Sequence, residues 1–212
     1  MKITKFVHSC LLVEDSPAGG GKRVLIDPGI YSYQARALNL DSLGSLAYLL
    51  ITHEHADHFH LPFVKEIVAK FPDVKIVTDA SVVEILNKAG VSATSNNDDV
   101  VKNRPASHEP IFGGPAPTNA LFEVFGSLTH PGDSFHFELL TPLLALPVQA
   151  PWGSTTEAVN LALKLKPKVI VPIHDWHWNE EGRKSMYSRL ESFFAENGIS
   201  FKPLETGQAV EI

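Results

Sequence analysis

Residues Tyr48–His60 read YLLITHEHADHFH, an apolar run that ends in four histidines and an aspartate within eight residues. Leu46–Ile51 is apolar at nearly every position, the pattern of a strand covered on both faces. The cluster therefore follows a buried strand directly, and in layered α/β proteins functional groups gather at the carboxyl ends of strands. Side chains two apart on a strand, or on an extended segment leaving it, share a face, so His53 and His55 can converge on one ion. Asp57 and His58 are adjacent and point in different directions, which suits them to a second ion beside the first. Imidazole nitrogen with carboxylate oxygen, and no thiolate in range, fits zinc, manganese or iron rather than a structural four-cysteine zinc. A solvated loop or a helix cap at Asp57 would account for a single histidine, but poorly for H-x-H-x-D-H behind a buried strand.

The rest of the chain supplies a frame for this segment. Its 212 residues are 44% hydrophobic and 20% charged, the balance of one well-buried core, and we read residues 1–212 as a single domain. Two short apolar runs, Ile3–His8 and Cys10–Glu14, precede the glycine cluster SPAGGGK and a third run, Arg23–Ile26, that stops at Asp27-Pro28-Gly29. Turn residues between β-branched runs predict an antiparallel start. Helices are predicted after Pro62, with Val64, Ile67, Val68 and Phe71 on one face, and after Asp79, with Val82, Leu86 and Ala89. A further helix is predicted after the capping box Ser154-x-x-Glu157, and a last one carries Met186, Leu190 and Phe193. Val74–Thr78, Ala120–Phe125, Phe135–Leu140, Leu143–Leu146 and Val169–Ile173 read as strands, with a short strand closing the chain. Two β-rich halves with helices outside predict an α/β, four-layer αββα sandwich.

Composition also narrows the partners. A net charge of −6, with no basic run longer than Lys22-Arg23, provides no electrostatic footprint for nucleic acid or an anionic membrane. No segment approaches 18 apolar residues, the start is interrupted by His8, Ser9 and Cys10 before any leader-like run forms, and Cys10 is the single cysteine. We expect a cytoplasmic protein acting on a small molecule.

The segments HSCLLVED, VLIDPG, THEHADH, HPGDS and LKPKVIVPIHDW together resemble the metallo-β-lactamase-fold metal-dependent hydrolases, over nearly the whole chain. The likeness is nearer to the small branch that includes ascorbate-6-phosphate lactonase-like and uncharacterised zinc-dependent hydrolases. The resemblance implies that His53 and His55 hold one ion together with a third histidine from a later loop, and that Asp57, His58 and His174 hold the other. It implies that Asp133 in GDS bridges the two. His108 in PASHEP is the expected third ligand of the first ion, with His130 and His136 as competitors. His8, in the N-terminal hairpin, is expected to make a structural hydrogen bond. Trp152, Trp176, His177 and Trp178 lie beside matched positions and are candidates to wall a pocket or simply to pack.

The chemistry implied is hydrolysis of a small ester, lactone, amide or phosphoester by a hydroxide bridging two divalent ions, zinc first and manganese or iron as alternatives. Asp57 and Asp133 would orient the hydroxide and take its proton, with His136 and Asp175 as guesses for the leaving-group donor. Lys102 and Arg104 are candidates to steady an anionic substrate group. Two rival enzyme classes share the fold, an iron-dependent oxidoreductase of the mono-iron dioxygenase type and a metal-dependent nuclease. Against di-iron oxygen chemistry stands His55, where that branch usually has Glu.

Overall fold

The punctuated first thirty residues fold as an antiparallel meander. β1 (Lys2–Lys5), β2 (Leu11–Glu14) and β3 (Arg23–Ile26) pair in sequence, with Ile3 opposite Val13 and Leu12 opposite Leu25. The structure is a computed structural model that describes residues 1–16 and 21–212. Most of the SPAGGGK cluster read as a turn lies outside the described residues. After β3 a short helix, α1 (Ile30–Gln34), leads by a 3-10 turn at Leu40–Leu43 into β4 (Tyr48–Ile51), which pairs with β3 in parallel. α2 (Leu61–Lys70), with Pro62 in its first turn, crosses to the parallel strand β5 (Lys75–Thr78). α3 (Ala80–Lys88) follows at once, capped by Asp79, whose carboxylate accepts from the Val82 backbone N–H at 2.8 Å.

A second sheet repeats the plan. β6 (Val101–Pro105), β7 (Ala120–Val124) and β8 (Leu128–His130) are antiparallel neighbours, and β9 (Leu143–Pro147) and β10 (Val169–Ile173) then add in parallel. α4 (Thr155–Leu165) opens on the capping box expected at Ser154 and Glu157, with both reciprocal bonds made. α5 (Glu180–Glu196) returns to the short edge strand β11 (Ser200–Phe201), and β12 (Ala209–Glu211) crosses back to the edge of the first sheet beside β1. The resulting orders are β12-β1-β2-β3-β4-β5 and β11-β10-β9-β8-β7-β6.

Three apolar layers follow from the alternation of side chains along these strands. Ile3, Val24, Leu50, Phe122, Ala145 and Val171 meet between the sheets. Leu49, Ile51, Ile67 and Leu86 fill the space under α2 and α3, and Leu144, Ile170, Leu190 and Phe194 the space under α4 and α5. Helix, sheet, sheet, helix is the four-layer α/β sandwich expected from the two halves. Among the described residues no helix is long and apolar enough to cross a membrane.

One expected strand is absent, and one strand is present that the sequence does not announce. Phe135–Leu140 forms no strand, although Phe135, Phe137 and Leu139 are half-buried and His136, Glu138 and Leu140 exposed. The run has the two-residue alternation of a strand but no ladder partner, and it lays its apolar side over the layer of α4 and α5. β6 has no counterpart among the strands read from the sequence, because Lys102, Asn103, Arg104 and Pro105 carry no strand signal; its place at the sheet edge, against β7 alone, lets water reach it. Leu50→Ala, which empties a fully buried position between the sheets, should cost about 2–5 kcal/mol of stability. The check is a lowered urea midpoint with an unchanged m value.

Candidate metal centre

The strand ends bring the chemistry to one edge of the sandwich. The THEHADH segment leaves β4 and is held by the end of β3: the Ile30 amide donates to the Ala56 carbonyl at 2.7 Å, and Gly29 packs directly on the Asp57 backbone. A Cβ at Gly29 would lie 1.8 Å from the Asp57 carbonyl oxygen, so only glycine permits this approach. Beyond it, His55 carbonyl accepts from the amides of His58 and Phe59, a tight turn that throws Asp57 and His58 to one side.

Two donor groups result. His53, His55, His108 and Asp133 offer ligand atoms within 4.8 Å of one another, and so do His8, Asp57, His58 and His174. Asp133 also reaches the second group: its Oδ1 lies 2.7 Å from His174 Nε2 and 3.0 Å from His58 Nε2, while Oδ2 lies 3.4 Å from His108 Nε2 and 3.7 Å from His53 Nε2. His108, not His130 or His136, is the histidine brought to His53 and His55. His130 is buried behind the hairpin, 3.1 Å from the Ser9 carbonyl, and His136 is exposed, 3.5 Å from Glu109. Asp57, His58, Asp133 and His174 come together as the sequence placed them. His8 lies inside the second group, its Nε2 3.1 Å from Asp57 Oδ2.

The supporting shell fixes which nitrogens face inward. His58 Nδ1 lies 2.7 Å from Asp27 Oδ2, and the same carboxylate accepts from Thr52 N–H and Thr52 Oγ1, each at 2.8 Å. His53 Nδ1 lies 3.0 Å from Thr52 Oγ1, and His108 Nδ1 donates to the Glu109 carbonyl at 2.6 Å. Each ring therefore has one nitrogen anchored and the other turned to the group, the arrangement that orients metal-binding imidazoles. Asn119 ties the two loops of the second sheet, donating to the carbonyls of Ala106 and Pro131 and accepting from the Asp133 amide. Trp152 Nε1 donates to Asp133 Oδ2 at 2.7 Å. Asp27 and Thr52 are site residues that the sequence does not announce, and Trp152, a candidate to wall a pocket, is a hydrogen-bond donor to the site. Asp27 reads as a turn residue in D-P-G, and Thr52 and Trp152 have no spacing signal; their roles come from contacts 19 to 31 residues apart.

The residues present fit a pair of cations. His108 Nε2 and Asp133 Oδ1 are buried with no hydrogen-bond partner, although Asp133 Oδ1 is crowded by two imidazoles. Donor atoms of nitrogen and oxygen type crowded together, two of them buried without a hydrogen-bond partner, suit a shared divalent ion. The electrostatics agree. Burial alone would raise the Asp133 carboxyl, but His174, His58 and His53 hold it well below the usual range. Burial would lower His58, yet Asp133, Asp27 and Asp57 raise it well above its ordinary value. A proton on His58 thus occupies the place in the charge balance that a cation would take. Burial lowers His53 first of all, keeping it neutral and able to donate a lone pair.

The other candidates lie around this edge. Trp176 is exposed and stacks on Tyr31 at 4.0 Å, and Trp178 packs towards Tyr187. Asp175 faces away from the donors: it accepts from the fully buried Lys5 at 2.7 Å and from Tyr187 at 2.6 Å. Arg104 pairs with Glu123 at 3.2 Å on the second sheet. A cavity of about 660 Å³ opens beside Glu54 and Asn119, lined by Asp79, Glu84, Lys88 and Thr118, and holds none of the eight donor residues.

The model of the beta-lactamase superfamily domain matches residues 2–174. The chain belongs to that superfamily. It is 30% identical over 207 residues to protein Rv0786c of Mycobacterium tuberculosis, covering 90% of this chain and 91% of the relative. It is 27% identical over 201 residues to a UPF0173 metal-dependent hydrolase of Nanoarchaeum equitans, covering 84% and 85%. Among solved structures, Igni18, described as a novel metallo hydrolase from Ignicoccus hospitalis, superposes with a TM-score of 0.71 at 21% identity, covering 99% of this chain and 97% of that one. The superfamily fold is thus carried by the same strand order that assembles the two donor groups.

Gly29→Ala tests the close approach that sets the turn. The added methyl must displace Asp57 and His58, so affinity for zinc should fall at least about tenfold, read by calorimetric titration, in a chain that still unfolds cooperatively.

Proposed function

We propose that this beta-lactamase superfamily member is a binuclear metal-dependent hydrolase of a small molecule. The observation that carries the reading is the position of Asp133, one buried carboxylate whose two oxygens face two separate donor groups. The similarity to the metal-dependent hydrolase of Nanoarchaeum equitans supports the reaction class. His53, His55 and His108 would hold one ion, Asp57, His58 and His174 the other, with Asp133 between them. Two divalent ions, zinc first with manganese or iron as alternatives, would supply hydroxide at neutral pH and polarise the scissile oxygen.

The chain's own contribution is orientation and charge. Asp57 has 24% of its side chain exposed, against 2% for Asp133, so it is the carboxylate that attacking water can reach. It accepts a hydrogen bond from that water and aligns it. Asp133 stays ionised and buried, its Oδ2 steadied by the Trp152 indole. Asp175 does not serve as leaving-group donor, because Lys5 beside it helps hold its carboxyl below the usual range against burial, and both Lys5 and Tyr187 already donate to it. The substrate proposed is a small ester, lactone, amide or phosphoester.

Elemental analysis of the purified protein should find up to two divalent ions per chain, removable by chelator. His55→Ala and Asp133→Asn should lower hydrolysis of a chromogenic ester and phosphodiester panel by more than about 100-fold while retaining cooperative unfolding. Zinc or manganese should restore the chelated enzyme without oxygen. Oxygen uptake that requires iron, with a thiol or persulfide substrate, would move the protein to the oxidoreductase class.

Nucleic acid is not the proposed substrate. Acidic residues outnumber basic ones by 24 to 18, and polymer binding draws on many phosphate contacts and weakens steeply with salt. Filter binding with single-stranded RNA and DNA at low salt should detect no micromolar affinity. Salt-sensitive binding together with metal-dependent cleavage would point to a nuclease.

A further inference from the structure

We infer that His8 is itself a donor to the ion at the Asp57 position, so that the two positions are unequal: the chain fills the Asp57 position and leaves the His53 position open to substrate. This rests on the two-ion reading above and goes beyond it, since the ligand set carried over from the superfamily ends at Asp57, His58 and His174 with Asp133 shared.

Three observations carry the inference. First, the turn between β1 and β2 places His8 with φ +65°, a left-handed backbone uncommon for a residue with a Cβ, and buries it to 1% exposure. The turn, closed by the Cys10 amide on the Val7 carbonyl, requires that backbone of whatever residue stands there, so what bears on a ligand role is that the ring it carries is buried within the donor group. Second, a His8 ring nitrogen lies with Asp57, His58 and His174 inside one group of ligand atoms no more than 4.8 Å apart. Its ring centroid is 3.9 Å from that of His174, and the His174 amide donates to the His8 carbonyl at 3.4 Å, so the hairpin and the end of β10 are locked face to face. Third, His8 Nδ1 is buried without a hydrogen-bond partner, and so is Nδ1 of His174, a residue already in the ligand set. The unanchored far nitrogen is thus common to His8 and to a residue of the ligand set, and does not set His8 apart from it.

The donor count then differs between the positions. His53, His55 and His108 with Asp133 make four, whereas His8, Asp57, His58 and His174 with Asp133 make five. An ion with more protein donors is held more tightly and has less room for an added oxygen, so the substrate oxygen is expected at the His53 position.

The test uses the whole chain labelled with nitrogen-15 at histidine and titrated with cadmium-113, followed by direct cadmium–nitrogen coupling. Two cadmium resonances coupled to six histidines, with one coupling lost in His8→Gln, support the inference. Two resonances coupled to five histidines, His8 excluded, overturn it and leave the two-ion reading intact. A single resonance, whether or not it couples to His8, removes the two-ion reading and overturns with it the inequality of two positions. Calorimetry with zinc supplies a second readout. His8→Gln and His8→Asn both retain an amide, and asparagine suits the left-handed turn, so a loss confined to His8→Gln reports the turn and overturns the inference, whereas a donor role predicts at least a tenfold loss in the tighter step alone in both variants.

Discussion

The carboxylate of Asp133 is the interaction on which the site depends. It comes from the second sheet, after β8, and every other group it touches comes from a different strand end: His58 and His53 after β4, His108 after β6, Trp152 after β9 and His174 after β10. A buried carboxylate without such partners would be heavily penalised. The two sheets are therefore joined twice, by the apolar layer between them and by this charge at its edge. Asp27 plays the matching part in the first sheet, since its two oxygens tie β3 to Thr52 and His58.

A second buried charge pair lies just behind the first. Lys5 of β1 meets Asp175, the residue that follows His174, and Tyr187 of α5 completes the contact. Buried ion pairs are poor sources of net stability, because desolvation consumes most of the attraction. Their value is geometric. The pair fixes the exit of β10 against β1, so the imidazole one residue earlier keeps its place relative to His8 on the neighbouring turn.

Much of this was legible in the sequence, and the limits have physical causes. The strand before THEHADH, the proline and capping-box starts of α2 and α4, and the closing strand before His174 are local patterns, so they could be read directly. The four-layer plan followed from them. The edge strand β6 escaped notice because an edge needs little apolar content, and Phe135–Leu140 misled because alternation signals a face to bury without saying whether a ladder will form. The motif positions within the site were readable by spacing, and the place of His108 follows from Asn119 and Glu109, which no spacing reveals. His8, Asp27 and Trp152 are joined to the group only by long-range contacts, and a lone histidine in a hairpin gives no hint of a partner 49 residues away.

Three of these site residues, His8, Asp27 and His174, share left-handed backbone angles, with φ of +65°, +48° and +64°. Glycine, asparagine and aspartate tolerate that region best, histidine next, and β-branched or bulky residues hardly at all. At each of these positions the backbone filters the available amino acids before any question of chemistry arises. Many single substitutions are thus refused by the turn alone; of those it admits most readily, glycine provides no donor, whereas aspartate and asparagine offer an oxygen on a shorter side chain. Exchange of one ligand type for another is consequently confined at these positions to a few residue types, and the neighbourhood of this site in sequence space is sparse.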